Sequence, residues 1–269
     1  MAMQHHVKIL SQCVLGSLIS IALVSSPLSF ADAQRGLEIA KIRKAADEGW
    51  GDSQAEMEMI LRNAQGQESE RKIRVKSWEV IDDGDKALTI FDQPRDVSGT
   101  AFLSFSKAVG ADDQWIYLPA LKRVKRINSR NKSGPFMGSE FAFEDMTSFE
   151  IEKFSFEFIE EQTFEDRETW VVEQAPIDEY SGYTRQKVWI DKEHHYVVQV
   201  EFYDRKNDLL KTLNVSEYKR YKDKFWRAHR SEMYNQQTSK STILVINDIR
   251  FDTGLKESDF NSNKLRNAR

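Results

Sequence analysis

Few side chains beyond residue 33 could do acid–base or nucleophilic work. Histidine occurs there only as His194, His195 and His229. The first two fall in a hairpin turn, and the third lies on a strand rich in arginine and tryptophan. No serine stands in the strand–elbow–helix setting that exposes a hydrolytic nucleophile. Glu193, His194 and His195 are consecutive turn residues, and such neighbours cannot all face one ion. The acids Glu140, Glu144, Asp145, Glu150 and Glu152 lack the spacing of a calcium loop. They are expected to solvate the outer side of the segment that carries them. The single cysteine, Cys13, precedes all of this. The rest of the chain therefore has no disulfide, thiolate nucleophile or thiolate zinc site.

Two constellations remain that could bind rather than react. Lys122, Arg123, Lys125, Arg126, Arg130 and Lys132 form a basic cluster over a strand and the loop after it. It reads as a charged edge that resists edge-to-edge pairing, or as a contact for an anionic headgroup or acidic partner. The second constellation is Phe136–Phe149, with Phe136, Met137, Phe141, Phe143, Met146 and Phe149 close together. So much apolar surface on a short piece must cover something apolar. It is either a plug closing the open side of a sheet or a lid over a cavity. Gly134-Pro135 and Gly138 would then serve as turns or as hinges. The residues alone leave both readings open.

The elements that must position these groups are mostly strands. Ala55, Met57, Met59 and Leu61 alternate with charged residues, as do Ile73, Val75 and Ser77, then Phe154, Phe156 and Phe158. Period-two runs of this kind recur to Phe251, with turn signals about every ten residues, which predicts an antiparallel sandwich or barrel. Crossover helices for a parallel sheet are missing. A helix is predicted over 36–48 from its apolar stripe, and a short closing helix over 256–265. With 5 prolines and 12 glycines in 269 residues, and no repeat or low-complexity tract, residues 34–269 read as one domain.

Residues 1–33 read as a signal peptide. Lys8 begins it, Ile9 to Phe30 is mainly apolar, and Ala31-Asp32-Ala33 predicts cleavage after Ala33. A secretory route is expected to follow, with a mature chain that does not span a membrane; the periplasm as its end point is what the resemblance given below implies. Cleavage removes Lys8 and Asp32, so the net charge stays at −4. That balance argues against nucleic-acid binding.

DVSGTAFLSF, QWIYLPALKRVKRI and FMGSEFAFEDM, in that order, together with the leading GLEIAKIRKAADEGWGDSQAEMEMIL, resemble the LolA-like outer-membrane lipoprotein-sorting proteins. The match is to the longer relatives, some associated with RND/MMPL-type transporters. The resemblance implies a half-open, curved antiparallel β-barrel whose mouth is covered by short helices. It implies a monomeric carrier that takes acyl chains of a lipoprotein or lipid into its concave face and needs no cofactor, metal or catalytic residue. On that basis Phe102, Trp115, Tyr117, Met137, Phe141, Phe143 and Met146 are the expected lining, and Arg123 and Arg126 the expected headgroup or partner contacts. The family's arginine latch on the lid has no assignable position in the sequence. A non-carrying adaptor of an RND/MMPL-type transporter is the competing reading.

Overall fold

The computed structural model describes residues 27–268. Lys8, Cys13 and most of the expected leader lie outside the described residues. Helix α1 (Pro27–Ala46) leads into β1 (Asp52–Arg62), β2 (Glu68–Trp78), β3 (Lys86–Gln93), β4 (Ala101–Phe105), β5 (Asp113–Leu118) and β6 (Arg123–Ile127). A crossing segment, residues 128–153, contains only short 3-10 turns. Then follow β7 (Phe154–Phe164), β8 (Arg167–Pro176), β9 (Arg185–Asp191), β10 (Val197–Tyr203), β11 (Leu209–Tyr221), β12 (Phe225–Asn235) and β13 (Ser241–Phe251). The predicted closing helix is two 3-10 turns, Glu257–Asp259 and Ser262–Asn267.

All thirteen strands form one curved, open antiparallel sheet, in the order β6-β5-β4-β3-β2-β1-β13-β12-β11-β10-β9-β8-β7. Every pairing but one joins consecutive strands. The exception, β1 with β13, brings the two ends of the chain together in mid-sheet. The middle of the chain therefore supplies both edges, and the segment 128–153 must cross from one edge to the other. That crossing carries the aromatic run across the concave side.

Each edge is protected differently. Helix α1 packs on β7, where Ile39 and Ala40 are buried. The approach depends on Gly36: a Cβ there would stand 2.9 Å from the backbone of Glu157 and Phe158. Strand β6 carries exposed Arg123, Val124, Lys125 and Arg126, and its charges discourage pairing with another chain.

The sheet is apolar on both faces in places. The main core fills the concave side and includes Met59, Ile73, Phe91, Phe102, Phe156, Val188 and Phe202. A second cluster on the other face joins Leu88, Ile90, Leu103 and Tyr117 to Phe260 and Leu265 of the C-terminal tail. A third gathers Val171, Trp189 and Val198. Among the described residues no helix is long and apolar enough to cross a membrane.

Candidate functional site

The aromatic run is packed against the sheet. Phe136 and Phe141 are buried, and the Phe136 ring meets Phe102 edge-on at 5.0 Å and Phe143 at 5.6 Å. Met137, Phe143, Met146 and Phe149 pack against the same cluster from less buried positions. The segment thus fills one part of the hollow as a plug fills it.

Polar contacts, made mainly by residues expected to face water, hold it there. Lys211 of β11 and Asp145 form an ion pair at 2.6 Å, with side chains only 4% and 8% exposed. Lys211 also donates to the Glu140 carbonyl at 2.9 Å. Asp145 accepts from the Tyr183 hydroxyl at 2.8 Å and the Ala142 amide at 2.7 Å. Glu144 accepts from the Gly182 amide and the Ser181 hydroxyl, both at 2.8 Å, and burial raises its pKa. Glu150 is buried, paired with Lys44 of α1 at 2.9 Å. The expected solvent-facing role of Glu144, Asp145 and Glu150 is therefore corrected: an inward carboxylate in low dielectric is tolerated only when paired and hydrogen-bonded. Arg71 of β2 donates to the Met137 carbonyl and so anchors the other end of the run.

Lys211 was legible in outline. It shares its strand parity with Leu213 and Val215, so a lysine stands at a core-facing position, and such a residue requires a partner. The partner, 66 residues away in sequence, was not legible.

The expected lining divides by face. Phe102 pairs across the strands with Ile116, on the concave side, whereas Leu103 pairs with Trp115 and Ala101 with Tyr117. Trp115 and Tyr117 pack in the cluster beneath the C-terminal tail, so the structure puts them on the opposite side from Phe102. Arg123 and Arg126 separate likewise, since Arg123 pairs with Leu118 and Arg126 with Trp115. Arg126 is also bound to Asp113. Of the expected lining, Phe141 borders a cavity of about 470 Å³ that also touches Lys211 and Arg205.

The larger hollow lies elsewhere, between the end of α1, the β2–β3 turn, the end of the crossing segment and strands β10 to β12. Its volume is about 1000 Å³. Val197, Val200, Leu213, Val215 and Phe149 give it an apolar floor that continues into the main core, and Tyr218 and Trp226 an aromatic wall. Its size is at the upper end of the roughly 300–1,000 Å³ usual for ligand pockets. No sequence motif marks it, because its walls come from seven separate parts of the chain.

The histidines are packed into this architecture. His194 stacks on Trp226 at 4.5 Å and His195 on Trp170 at 5.8 Å. His229 is buried, with its ring nitrogens on Tyr221 and the Ile246 carbonyl. Among the described residues no cluster of three ligand-type side chains could hold a metal ion.

Asp85 borders the hollow, and burial pushes its pKa up to about 6 from an ordinary 3.8. Folded protein keeps this proton to higher pH than unfolded protein does, so Asp85 removes stability as pH rises from about 4 to 6. The variant Asp85→Asn is expected to gain thermal stability relative to the native chain over that interval and to hold the gain above it. Melting curves from pH 3.5 to 7.5 check this; parallel curves for the two proteins would refute it.

A family model described only as "-like: Uncharacterized protein" matches residues 83–267. No curated protein matches the chain. Among solved structures, a domain from Vibrio parahaemolyticus described as an outer membrane lipoprotein-sorting protein is 64% identical, with a TM-score of 0.86, over 87% of this chain and 99% of that one. A DUF1329 family protein from Desulfovibrio piger is 24% identical (TM-score 0.82; 87% and 99% covered), and a LolA superfamily protein from Nitrosomonas europaea 17% identical (TM-score 0.66; 86% and 97% covered). The last two share the fold, while the Vibrio domain matches in sequence as well as in fold. On that identity the chain belongs to the family of outer-membrane lipoprotein-sorting proteins, and its open curved sheet is the LolA-like fold.

Proposed function

We propose that this protein is a periplasmic carrier that holds the acyl chains of a lipoprotein or lipid in the hollow beside α1 and moves them toward the outer membrane. The observation that carries the reading is the hollow itself, about 1000 Å³ with an apolar floor that continues into the main core. Each methylene transferred from water into such a space is worth about 0.8 kcal/mol. A chain of ordinary length is thus held without covalent chemistry. Uptake and release need only movement of the walls.

The aromatic crossing is the wall suited to move. Polar anchors at Lys211, Arg71 and Lys44 fix it, and a cargo chain entering beneath it would enlarge the hollow toward Phe102 and Phe141. The expected contacts Met137, Phe143 and Met146 belong to that enlarged state. Trp115 and Tyr117 have no part in it. The leader is removed after Ala33 on export, so that the mature helix begins near Gln34. Arg123, on the exposed edge β6, is the better placed of the two arginines for a partner such as an RND/MMPL-type transporter, Arg126 being occupied by Asp113.

Native mass spectrometry of protein isolated from its own periplasm tests the reading. The expected result is a mature chain beginning at Gln34 that carries a species of lipid or acyl-peptide mass. Repeatedly ligand-free protein that also takes up no acyl probe would overturn carriage and favour the adaptor.

A further inference from the structure

The hollow contains a cation that, among the described residues, no acidic side chain or carbonyl contacts directly, although Asp47 lies near enough to act on its charge. Its wall includes three permanently charged cations: Arg43, Lys44 and Arg227. Lys44 is bound to Glu150 at 2.9 Å, and Arg227 is bound to Asp47. Arg43 lies in the last turn of α1 with its guanidinium carbon 3.9 Å from the centre of the Phe149 ring. Among the described residues it has no hydrogen-bond or ion-pair partner. Among them, too, no buried side-chain nitrogen or oxygen lacks a partner, so its nitrogens are within reach of solvent, and Arg43 is one of the residues that line the hollow.

The nearby acids are occupied. Glu150 is held by Lys44 and Ser148, and Glu79 by the Gly49 and Gly51 amides. Asp47 faces Arg227, and Asp85 accepts from the Val80 amide. What remains free is one planar five-donor cation at the edge of an apolar floor. Burial lowers its pKa to about 10, so it is charged at neutral pH but already partly stripped of water. That setting favours a bidentate anion over solvent.

Resting on the carrier reading, we propose that the hollow takes an amphiphile with one small anionic head, a carboxylate or a phosphomonoester. The head sits on Arg43 and the chain lies along Val197, Val200 and Leu213. The cargo class is thereby narrowed from any acyl chain to an acidic lipid.

The test uses delipidated mature protein and three probes with the same acyl chain, each below its micelle concentration: palmitate, palmitoyl lysophosphatidate and neutral monopalmitoylglycerol. Binding is read by quenching of tryptophan fluorescence. The expected result is that at least one acidic probe binds about tenfold tighter than the neutral one, equivalent to about 1.4 kcal/mol. The more tightly bound acidic probe then identifies the head. Arg43→Gln should erase the preference and leave monopalmitoylglycerol affinity unchanged, while Arg43→Lys should keep part of it. Equal binding of all three probes to the native protein overturns the anionic head but leaves carriage standing. Equal losses for all three in Arg43→Gln make Arg43 a support for Phe149 only, and also overturn it. Binding of none removes carriage and head together. If Arg43→Gln does not fold, the native comparison decides alone.

Discussion

Replacing Lys211 with methionine is expected to lower the melting temperature by about 10 °C and to release the aromatic crossing. The ion pair with Asp145 is almost fully buried, and removing one partner of such a pair costs about 3–5 kcal/mol because the other is left charged in low dielectric. At about 2–4 °C per kcal/mol for a domain near this size, the shift is large enough to measure by calorimetry. Asp145 would keep its bonds from Tyr183 and the Ala142 amide, which limits the loss. Lys211→Met with Asp145→Asn should recover at least half of it, since no charge is then stranded. Hydrogen exchange should quicken at Phe136, Phe141 and Phe143 in the single variant while β8 to β10 stay protected. A melting temperature within about 2 °C of the native chain would mean that the pair does not hold the crossing.

Filling the hollow should abolish binding with little cost to the fold. Val215 of β11 is half-buried on the wall, and an indole placed there can cover up to about 250 Å² of apolar surface. Because it grows into empty space, the overpacking penalty of about 1–3 kcal/mol in a filled core is avoided. Val215→Trp is therefore expected to weaken acyl-probe binding at least tenfold, with the melting temperature changed by only a few degrees. Trp115→Leu, on the opposite face beneath the tail, should leave probe binding intact. Undiminished uptake by Val215→Trp would place the acyl chain somewhere other than this hollow. Loss of uptake in Trp115→Leu alone would return the site to the face first expected from the sequence.

The two experiments address different places: Lys211 borders the smaller cavity and pins the crossing segment, whose far end bounds the larger hollow, and Val215 lines that hollow directly. Both depend on residues that carry no motif. The aromatic run and the basic strand, which dominate the sequence, turn out to be a packed wall and an exposed edge.

The strands were legible because water on one face imposes a period of two. The alternations at 55–61, 73–77 and 154–158 fall inside β1, β2 and β7, and the last run ends at Phe251 as expected. The start of α1 was missed, as the helix runs back to Pro27 through the expected cleavage site. Facing was legible only where the alternation survived. At Ala101, Phe102 and Leu103 three successive residues are buried, because the sheet is covered on both sides there, and parity cannot tell the concave side from the side beneath the tail. Trp115 and Tyr117 were misplaced for that reason. The acids of the crossing segment were misplaced for another: charge predicts exposure unless a distant partner is known.

The order of apolar and polar residues thus determined that this chain forms many short antiparallel strands, one leading helix and a greasy crossing between its edges, since these depend on neighbours in sequence. Tertiary structure alone decided which carboxylates turn inward, which aromatics share a face and where the hollow lies. Those outcomes depend on contacts between residues far apart in the chain, such as Lys211 with Asp145, and on the empty volume that the packed side chains leave.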